Sequence, residues 1–425
     1  VVVLGIATVV SERTGSRHLR SPSIAAAVPA LPDLVQAPAE LRNRMDKARA
    51  QALAPATQLA GLAEFGRLCH ANFHTAEAEA CWRLLAAAEP RDPRWTYYLA
   101  DLRGMASDAN GMEKWLRKTV ELASDYAPAW LRLGDLEFKT GQLDAAEQAY
   151  RRRLALVPHD PYASLGLARL ALQRDHREEA LALIARLVAA VPEFPSAHNL
   201  YAEMLSAQGD AAGAARERAR GADGRFREAD DPWLDQLMNW CFTYDRLCVR
   251  GTMEVLTKRA DRGQAWFTRA ILIQPDRFTA YELLGNLYID RNEPAKARDV
   301  YLAGLRRAGE GRAKIYVSLS RADRMLHEPA EATRIVREGL QAVGDDAELY
   351  HELGLALGEQ GQNAAAVEAL RQAVAHNTTD ARTNYDLAVA LISAHRLDDA
   401  IQALHQSLTL EPTYPATLSL LAEIE

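Results

Sequence analysis

Prolines recur in this sequence at multiples of about 34 residues, and this period limits the chain to a fold built from small repeated units. Pro192 follows Pro158 by one such period, and Pro90 precedes Pro158 by two. Between two such prolines there is room for two short helices and the turn that joins them. Each unit of this kind can bury apolar surface only against its neighbours. The chain can therefore form one elongated domain without a central core.

Residues 127–160 contain one complete unit. It combines large apolar residues with small ones on two predicted helices: Trp130, Leu133, Gly134, Ala146 and Tyr150. The small residues Gly134 and Ala146 allow the two helices to approach closely, while the large side chains fill the space between the pair and its neighbours. Gly141 ends the first helix, and Pro158 ends the unit because proline cannot extend a helix.

This arrangement, W-x2-L-G followed by A-x3-Y and a closing proline in a frame of about 34 residues, resembles the tetratricopeptide repeat family. The frame predicts unit starts at 59, 93, 127, 161 and 195, and then, after an interruption, at 278, 313, 347 and 381. The resemblance implies an all-α, right-handed superhelical solenoid of about ten helix-turn-helix repeats with a helical insertion near the middle.

Composition shifts and the repeat frame together predict the domain organisation. In chain order we expect an apolar N-terminal segment (1–19), a Pro-rich linker (20–38), an N-terminal helix (39–58), repeats (59–221), an atypical aromatic-rich helical insertion (222–258), repeats (259–414) and a partial repeat or capping helix (415–425). The last segment supplies only a first helix, at a position where a capping helix or a further repeat normally follows.

The predicted insertion interrupts the period with aromatic residues. Trp233, Leu237, Trp240, Tyr244 and Leu247 recur at spacings of three and four. This pattern predicts an amphipathic helix. We expect it to act as a spacer that bends the superhelix or plugs its groove, and a partner-binding hook is the alternative. The unit that begins near Tyr244 is expected to be an atypical copy of the repeat.

The first ten residues, VVVLGIATVV, are uniformly apolar. A transmembrane helix needs roughly 20 apolar residues, so this stretch is interpreted as the remnant of a signal peptide or of a membrane anchor. A stiff Pro-rich linker after an anchor would hold the solenoid off a membrane. This interpretation predicts a periplasmic or membrane-anchored protein. The alternative is a poorly packed terminus of a cytoplasmic protein.

Composition and motif content argue against several classes of function. The formal charge of −7 gives no electrostatic footprint for nucleic acid. Phosphate-binding loops, dinucleotide-binding glycine patterns and the short motifs of hydrolases and metalloproteases do not occur. We therefore expect no enzymatic activity, no catalytic residue and no cofactor.

Cysteine and histidine residues give one candidate metal site, which the predicted helices disfavour. Cys69, His70, His74 and Cys81 have ligand types that suit zinc. Cys69 falls at a packing position and His74 falls in a predicted turn, so convergence on one ion is not expected. The four cysteines contain no C-x-x-C, and we expect them to pack as free apolar side chains.

The family resemblance implies that successive first helices line a concave groove that binds an extended peptide or a partner helix. Carrying the groove-facing repeat positions onto this sequence gives a candidate site of Arg67, Tyr97, Asp101, Asp135, Phe138, Arg169, Asn199, Glu203, Asn286, Arg321 and Arg324. The Lys and Asn set of carboxylate-clamp co-chaperones does not occur among them. An acidic C-terminal peptide is therefore not the expected ligand.

These observations favour a non-catalytic protein-binding or peptide-binding scaffold, which we interpret as a bacterial envelope-associated adaptor or assembly factor. One alternative is the regulatory or substrate-recruiting region of an enzyme whose catalytic domain lies outside this chain. Another is a cytosolic assembly factor. The sequence leaves the partner and the oligomeric state open.

Overall fold

A computed structural model describes residues 24–223, 229–257, 259–307, 312–377 and 379–424. Within these ranges the chain forms 24 helices and no strand, which confirms the predicted all-α class. None of the helices in these ranges combines the length and the apolar character that a bilayer span requires. The predicted apolar segment at 1–19 lies outside the described residues.

The helices are short and follow one another closely. The first twelve are α1 (Ile24–Ala27), α2 (Ala39–Leu53), α3 (Gln58–Ala71), α4 (Thr75–Ala88), α5 (Pro93–Met105), α6 (Ala109–Leu122), α7 (Ala127–Lys139), α8 (Leu143–Leu156), α9 (Pro161–Gln173), α10 (Arg177–Ala190), α11 (Pro195–Ala207) and α12 (Ala211–Asp223). The others are α13 (Pro232–Met238), α14 (Tyr244–Leu256), α15 (Ala260–Ile273), α16 (Thr279–Asp290), α17 (Pro294–Arg307), α18 (Arg312–Met325), α19 (Pro329–Val343), α20 (Ala347–Glu359), α21 (Asn363–His376), α22 (Ala381–Ser393), α23 (Leu397–Leu410) and α24 (Pro415–Ile424).

The chain divides into two compact units. Unit 1 comprises the described residues up to Pro158 together with Asp231–Trp240, and unit 2 comprises those of His159–Asp230 and Cys241–Glu425. In unit 1, α2 packs on α3, and the helix pairs α3–α4, α5–α6 and α7–α8 follow. Unit 2 contains the pairs α9–α10, α11–α12, α14–α15, α16–α17, α18–α19, α20–α21 and α22–α23. Each unit is thus a stack of helix pairs, as a solenoid requires.

The sequence period is visible in the backbone at the turn inside each pair. One residue at the middle of the turn has a positive φ in nine pairs of the described chain: Phe73, Ser107, Gly141, Asp175, Gly209, Asn292, His327, Gly361 and His395. The first five follow one another at intervals of one period, and so do the last three. The left-handed residue lets the chain reverse after three non-helical residues, which brings the second helix back along the first.

Helix ends follow local signals that the sequence contains. The side chains of Asp92, Asp160 and Asp231 each cap a helix by accepting a hydrogen bond from a backbone N–H, and a proline follows each of them at the first helical position. The predicted closing prolines lie two residues beyond the last residue of a second helix, as Pro158 does after α8. The boundaries of the repeats are therefore determined by residues close to them in the sequence.

In five of the helix pairs the two helices approach each other closely at equivalent positions. A small residue on the first helix faces a large residue sixteen positions later on the second: Gly66 faces Trp82, Gly134 faces Tyr150, Gly251 faces Phe267, Gly285 faces Tyr301 and Gly354 faces Leu370. A Cβ atom at position 134 would lie 2.8 Å from Cε1 of Tyr150, which is closer than carbon atoms pack. Glycine is therefore required at this contact for steric reasons.

Replacing Gly134 with leucine is expected to lower the free energy of unfolding by about 1–3 kcal/mol because the added side chain overpacks against Tyr150. Urea denaturation followed by circular dichroism measures the change. The matched control is Gly358→Leu on α20, where the nearest atom to an added Cβ is 4.0 Å away. The control should be neutral or slightly stabilising, since leucine has the higher helix propensity. Equal destabilisation by both substitutions would contradict the packing assignment.

The N-terminal elements of unit 1 are the helix α2 and the Pro-rich stretch that precedes it. The buried side chains of α2 are those of Leu41, Met45, Ala48 and Ala52, a stripe at helical spacing that packs on α3. The Pro-rich linker predicted at 20–38 contains the four-residue helix α1 and is anchored, because Arg49 Nε donates to the carbonyl of Pro29 at 2.8 Å. Residues 20–23 lie outside the described ranges.

The predicted insertion at 222–258 differs most from expectation. Its aromatic pattern predicts one helix, whereas the structure has two helices separated by residues 239–243. Helix α14 pairs with α15 and keeps the repeat register through the contact of Gly251 with Phe267. The spacing of the aromatic residues did not predict this break, because Asp231–Trp240 packs in unit 1 whereas Cys241 belongs to unit 2. The two halves of the pattern thus face different surroundings.

Candidate functional site

The segment Asp231–Trp240, which we call the inserted segment, lies on the face of unit 1 formed by its first helices. Helix α13 packs on α3, and further contacts come from α5 and from Tyr126 at the start of α7. The residues of unit 1 that contact it are Arg44, Arg67, Asn72, Tyr97, Tyr98 and Tyr126, which we call the receptor face. This part of the surface implied for an external ligand therefore holds a segment of the same chain.

Asp231 is bound by two phenol groups, one on α5 and one immediately before α7. The hydroxyl of Tyr97 donates to one carboxylate oxygen, and the hydroxyl of Tyr126 donates to the other at 2.7 Å. The oxygen facing Tyr126 also accepts from the backbone N–H of Leu234 at 3.3 Å, which caps α13. One carboxylate thus joins α5 to the start of α7, and it also caps the helix that lies on them.

Burial sets the protonation behaviour of this contact. Burial raises the pKa of Asp231, and the hydrogen bonds from Tyr97 and Tyr126 offset part of that rise. Burial, followed by the charge of Asp231, raises the pKa values of Tyr97 and Tyr126 well above the usual range for tyrosine. Both phenols therefore keep their protons near neutral pH and remain hydrogen-bond donors.

Trp233 is the principal aromatic contact of the inserted segment. Its indole stacks on the ring of Tyr126 with centroids 3.5 Å apart and an angle of 8° between the planes, and it meets Tyr97 edge to face at 5.5 Å. Its backbone N–H donates to the hydroxyl of Tyr126 at 3.1 Å, and its carbonyl accepts from the hydroxyl of Tyr98 at 3.4 Å. The receptor face thus contacts both the side chain and the backbone of this residue.

Trp240 attaches the other end of the inserted segment. Its ring lies under two guanidinium groups, with Arg44 at 4.7 Å and Arg67 at 5.8 Å from the ring centroid. Asn72 donates from Nδ2 to the carbonyl of Trp240 at 2.9 Å. These cation–π and amide contacts bind a second indole seven positions beyond the first.

Asp101 belongs to a charged network beneath the receptor face and is not a free ligand-binding group. Its carboxylate bonds to Nε2 of His70 at 3.0 Å and accepts from Arg132 at 2.7 Å, which joins α3, α5 and α7. Burial alone would raise its pKa, but the hydrogen bond from His70 and the hydrogen bond and charge of Arg132 outweigh burial and hold the pKa of Asp101 well below the usual range. The Arg132 guanidinium also lies 5.2 Å from the ring centroid of Tyr97.

Two other predicted site residues of unit 1 lie on α7. Asp135 is exposed, and its carboxylate accepts a hydrogen bond from the hydroxyl of Tyr150 at 2.8 Å. Phe138 is half-buried. Both residues lie on α7, whereas Arg67 lies on α3 and Tyr97 on α5.

In unit 2 the predicted residues fall into two groups. Arg169 on α9 and Asn199 and Glu203 on α11 have exposed side chains. The others are engaged within the unit: Asn286 accepts from the hydroxyl of Tyr301 at 2.7 Å, and Arg321 and Arg324 both bind the buried carboxylate of Glu352. The second group is therefore held by contacts within unit 2, although the Arg321 side chain is half exposed.

Sequence reasoning missed most of the contacts on the receptor face. Arg67 and Tyr97 were predicted, but Asn72, Tyr98 and Tyr126 were not, because they fall outside the groove positions carried over from the family. The residues of the inserted segment were described only as a helical pattern. The signal available was the run Asp230-Asp231-Pro232-Trp233, in which a helix cap and a large aromatic residue follow a polar stretch.

The candidate zinc ligands serve as packing residues. Cys69 and Cys81 are buried, free thiols, and burial raises the pKa of each. His70 accepts a hydrogen bond from Nε1 of Trp82 and contacts Asp101, while His74 precedes α4 at the turn. Within the described ranges, no three His, Cys, Asp or Glu side chains are grouped closely enough to hold a metal ion.

Comparison with known proteins identifies the repeat at three places in the chain. Family models described as tetratricopeptide repeat match residues 127–170, 165–230 and 358–424. Cellulose synthase 1 operon protein C of Komagataeibacter xylinus is 42% identical over 62 residues. That match covers 15% of this chain and 5% of the relative.

Solved structures of repeat proteins are similar at low sequence identity. The thermophilic TPR protein TTC0263 of Thermus thermophilus is 20% identical, with a TM-score of 0.36, and the match covers 43% of this chain and 98% of that one. YrrB, described as a TPR protein with an unusual peptide-binding site, is 17% identical with a TM-score of 0.34 and coverages of 45% and 98%. Yeast Tom70 is 13% identical with a TM-score of 0.39 and coverages of 87% and 96%.

Proposed function

Because this chain is a tetratricopeptide repeat protein, we propose that it is a non-catalytic scaffold that binds protein or peptide segments on the faces formed by its first helices. One observation carries the proposal. The first-helix face of unit 1 holds the inserted segment through side-chain hydrogen bonds and ring contacts, in the manner of a bound peptide. The surface therefore has the chemistry that peptide capture needs.

Unit 2 offers a second first-helix surface for a partner. Its exposed groups include a cation, an amide and a carboxylate, at Arg169, Asn199 and Glu203. Mixed polar groups of this kind contribute specificity and orientation in a protein interface, while burial of apolar area supplies most of the affinity. This surface is the part of the scaffold that we propose for contact with an external protein.

We propose that this scaffold acts at the bacterial cell envelope. Two observations support the proposal: the match to a protein of a cellulose synthase operon and the uniformly apolar start of the sequence. Fractionation of cells that express the full-length protein tests it. The protein should be recovered with the membrane or the periplasm, and recovery in the cytoplasmic fraction alone would contradict the proposal.

Charge reversal on the first helices of unit 2 is expected to reduce partner capture at least tenfold, which corresponds to about 1.4 kcal/mol of binding free energy. The variant is Arg169→Glu with Glu203→Lys, which leaves the net charge unchanged. The measurement is quantitative mass spectrometry of proteins captured from the native envelope fraction with the full chain as bait. The reversed charges repel the groups that a complementary partner presents.

The matched control is Glu178→Lys with Arg186→Glu on α10, a second helix with both side chains exposed. It makes the same two changes of charge away from the proposed surface. Circular dichroism should show equal helicity in all three proteins. Partners retained by the first-helix variant, or lost equally from both variants, would show that capture does not use the first-helix face of unit 2.

A further inference from the structure

We propose that the receptor face recognises peptides in which an aspartate precedes a tryptophan by two residues, and that the inserted segment is an intramolecular occupant which such a partner displaces. The inference rests on the proposed scaffold function, because it names the ligand of one of its faces. The chemistry is taken from the occupant itself, Asp231-Pro232-Trp233. It predicts a partner that presents a carboxylate and an indole at this spacing.

The receptor face distinguishes this chemistry by two separate contacts. Two phenol donors converge on one carboxylate, and a neutral or cationic side chain in its place would leave at least one buried donor without an acceptor. Beside it, the flat stack of Trp233 on Tyr126 and the edge contact with Tyr97 require a broad aromatic ring. An aspartate or a tryptophan alone would satisfy only one of these contacts.

The contacts that hold the inserted segment can be exchanged for water or for another peptide. They are made by side-chain groups of the repeats, the Tyr97, Tyr98 and Tyr126 hydroxyls and the Asn72 amide, rather than by backbone groups of a shared helix or sheet. Pro232 and Asn239 in the segment are exposed. Trp233 and Leu234 also pack against the hydrophobic core of unit 1, and Leu237 and Met238 are buried. Removal of the segment would therefore expose apolar as well as polar side chains, but it would leave the α3–α8 helix pairs hydrogen-bonded as before.

The occupant also has the advantage of being tethered. Because the segment belongs to the same chain, its binding is intramolecular, so an external peptide of equal intrinsic affinity binds only to the small fraction of molecules whose segment has left. Weakening the occupant without altering the receptor face should therefore increase the apparent affinity for an external peptide. This increase is the measurable signature of displacement.

The experiment uses fluorescence anisotropy of a labelled synthetic peptide with the sequence of residues 229–240. It is titrated with the full-length protein and with three variants of the full chain: Trp233→Ala, Asp231→Ala and the control Trp266→Ala. Trp266 lies on α15 in unit 2 and is partly exposed, so its replacement repeats the chemical change away from the receptor face. We expect at least tenfold tighter binding by Trp233→Ala and by Asp231→Ala, and no change for Trp266→Ala.

A second set of variants tests whether the gained binding uses the receptor face. Adding Tyr126→Phe to the Trp233→Ala protein removes one donor to the aspartate and should reverse most of the gain. Tyr350→Phe is the control, because its hydroxyl donates to the Asp345 carboxylate on an exposed surface of unit 2. A peptide in which Asp231 is changed to asparagine and Trp233 to alanine should bind none of the proteins.

A purely structural role for the inserted segment predicts a different result. In that case Trp233→Ala and Asp231→Ala would lower the melting temperature without any gain in peptide binding, and this outcome overturns the proposal. A concentration-dependent dimer of the unmodified chain in light scattering would assign the face to a second copy and would overturn it too. The scaffold proposal has a separate test: partners lost on mutation of Arg169 and Glu203 would support it even if no peptide bound the receptor face.

Discussion

Replacing Trp82 with alanine is expected to lower the free energy of unfolding of unit 1 by about 3–5 kcal/mol. The indole is fully buried, stacks on Trp95 with ring centroids 5.5 Å apart, and donates from Nε1 to Nδ1 of His70 at 3.3 Å. Alanine would leave a cavity beside Gly66 and an imidazole nitrogen without its partner. Close-packed neighbours can relax into only part of a space of that size.

Hydrogen exchange measured by mass spectrometry on amides of α3–α5, together with urea denaturation, should report this loss. Trp266→Ala is a suitable control, since that ring is partly exposed and its replacement removes less buried surface. The faster exchange should be confined to unit 1. Unchanged protection of α3–α5 in Trp82→Ala would show that the stacked rings do not hold these helices together.

Replacing Asp101 with asparagine is expected to cost about 3 kcal/mol at neutral pH, the lower end of the range for breaking a buried ion pair. The substitution leaves the Arg132 guanidinium, whose side chain is 22% exposed, without the carboxylate that neutralises it. The hydrogen bond to His70 can survive because the asparagine oxygen still accepts. Asp261→Asn is the control, because that carboxylate is 95% exposed in its pair with Arg291 and should contribute little.

The cost of Asp101→Asn should depend on pH in a defined direction. The native environment lowers the pKa of Asp101, so its carboxylate contributes stability at pH values above its unfolded-state pKa, about 3.9. That contribution is lost as the pH falls toward the native pKa. The difference in unfolding free energy between the two proteins should therefore shrink below about pH 4. A difference that stays constant from neutral pH down to about pH 3 would contradict the assigned network.

The repeated helix pairs could be predicted from the sequence because their determinants are local. Gly134 and Tyr150 are sixteen positions apart, and the turn at Gly141 and the stop at Pro158 are set by neighbouring residues. The period of 34 residues then predicts the same helices and turns at equivalent positions of the other repeats. Even the left-handed turn at Phe73, which has no glycine, occurs at the position that the period requires.

The contacts between the receptor face and the inserted segment could not be predicted in the same way. Asp231 contacts Tyr97 across 134 residues and Tyr126 across 105, and no periodic pattern links positions so far apart. The period also placed Asp101 and Arg324 correctly on first helices without revealing their partners. Asp101 is bound by His70 and Arg132, and Arg324 by Glu352. Position in a repeat predicts which way a residue points, whereas its availability depends on what the neighbouring helices present.

The inserted segment is synthesised well after the rest of unit 1, so the receptor face lacks it for a time during synthesis. All of its helix pairs have been translated once Pro158 has been added, but Trp240 follows only after the first two helix pairs of unit 2. The ribosome adds about 5–20 residues per second, so it needs about 4–16 s to advance from Pro158 to Trp240. During that time the phenols of Tyr97 and Tyr126 face solvent without their intramolecular ligand. A nascent chain thus presents this face before its own segment can compete for it.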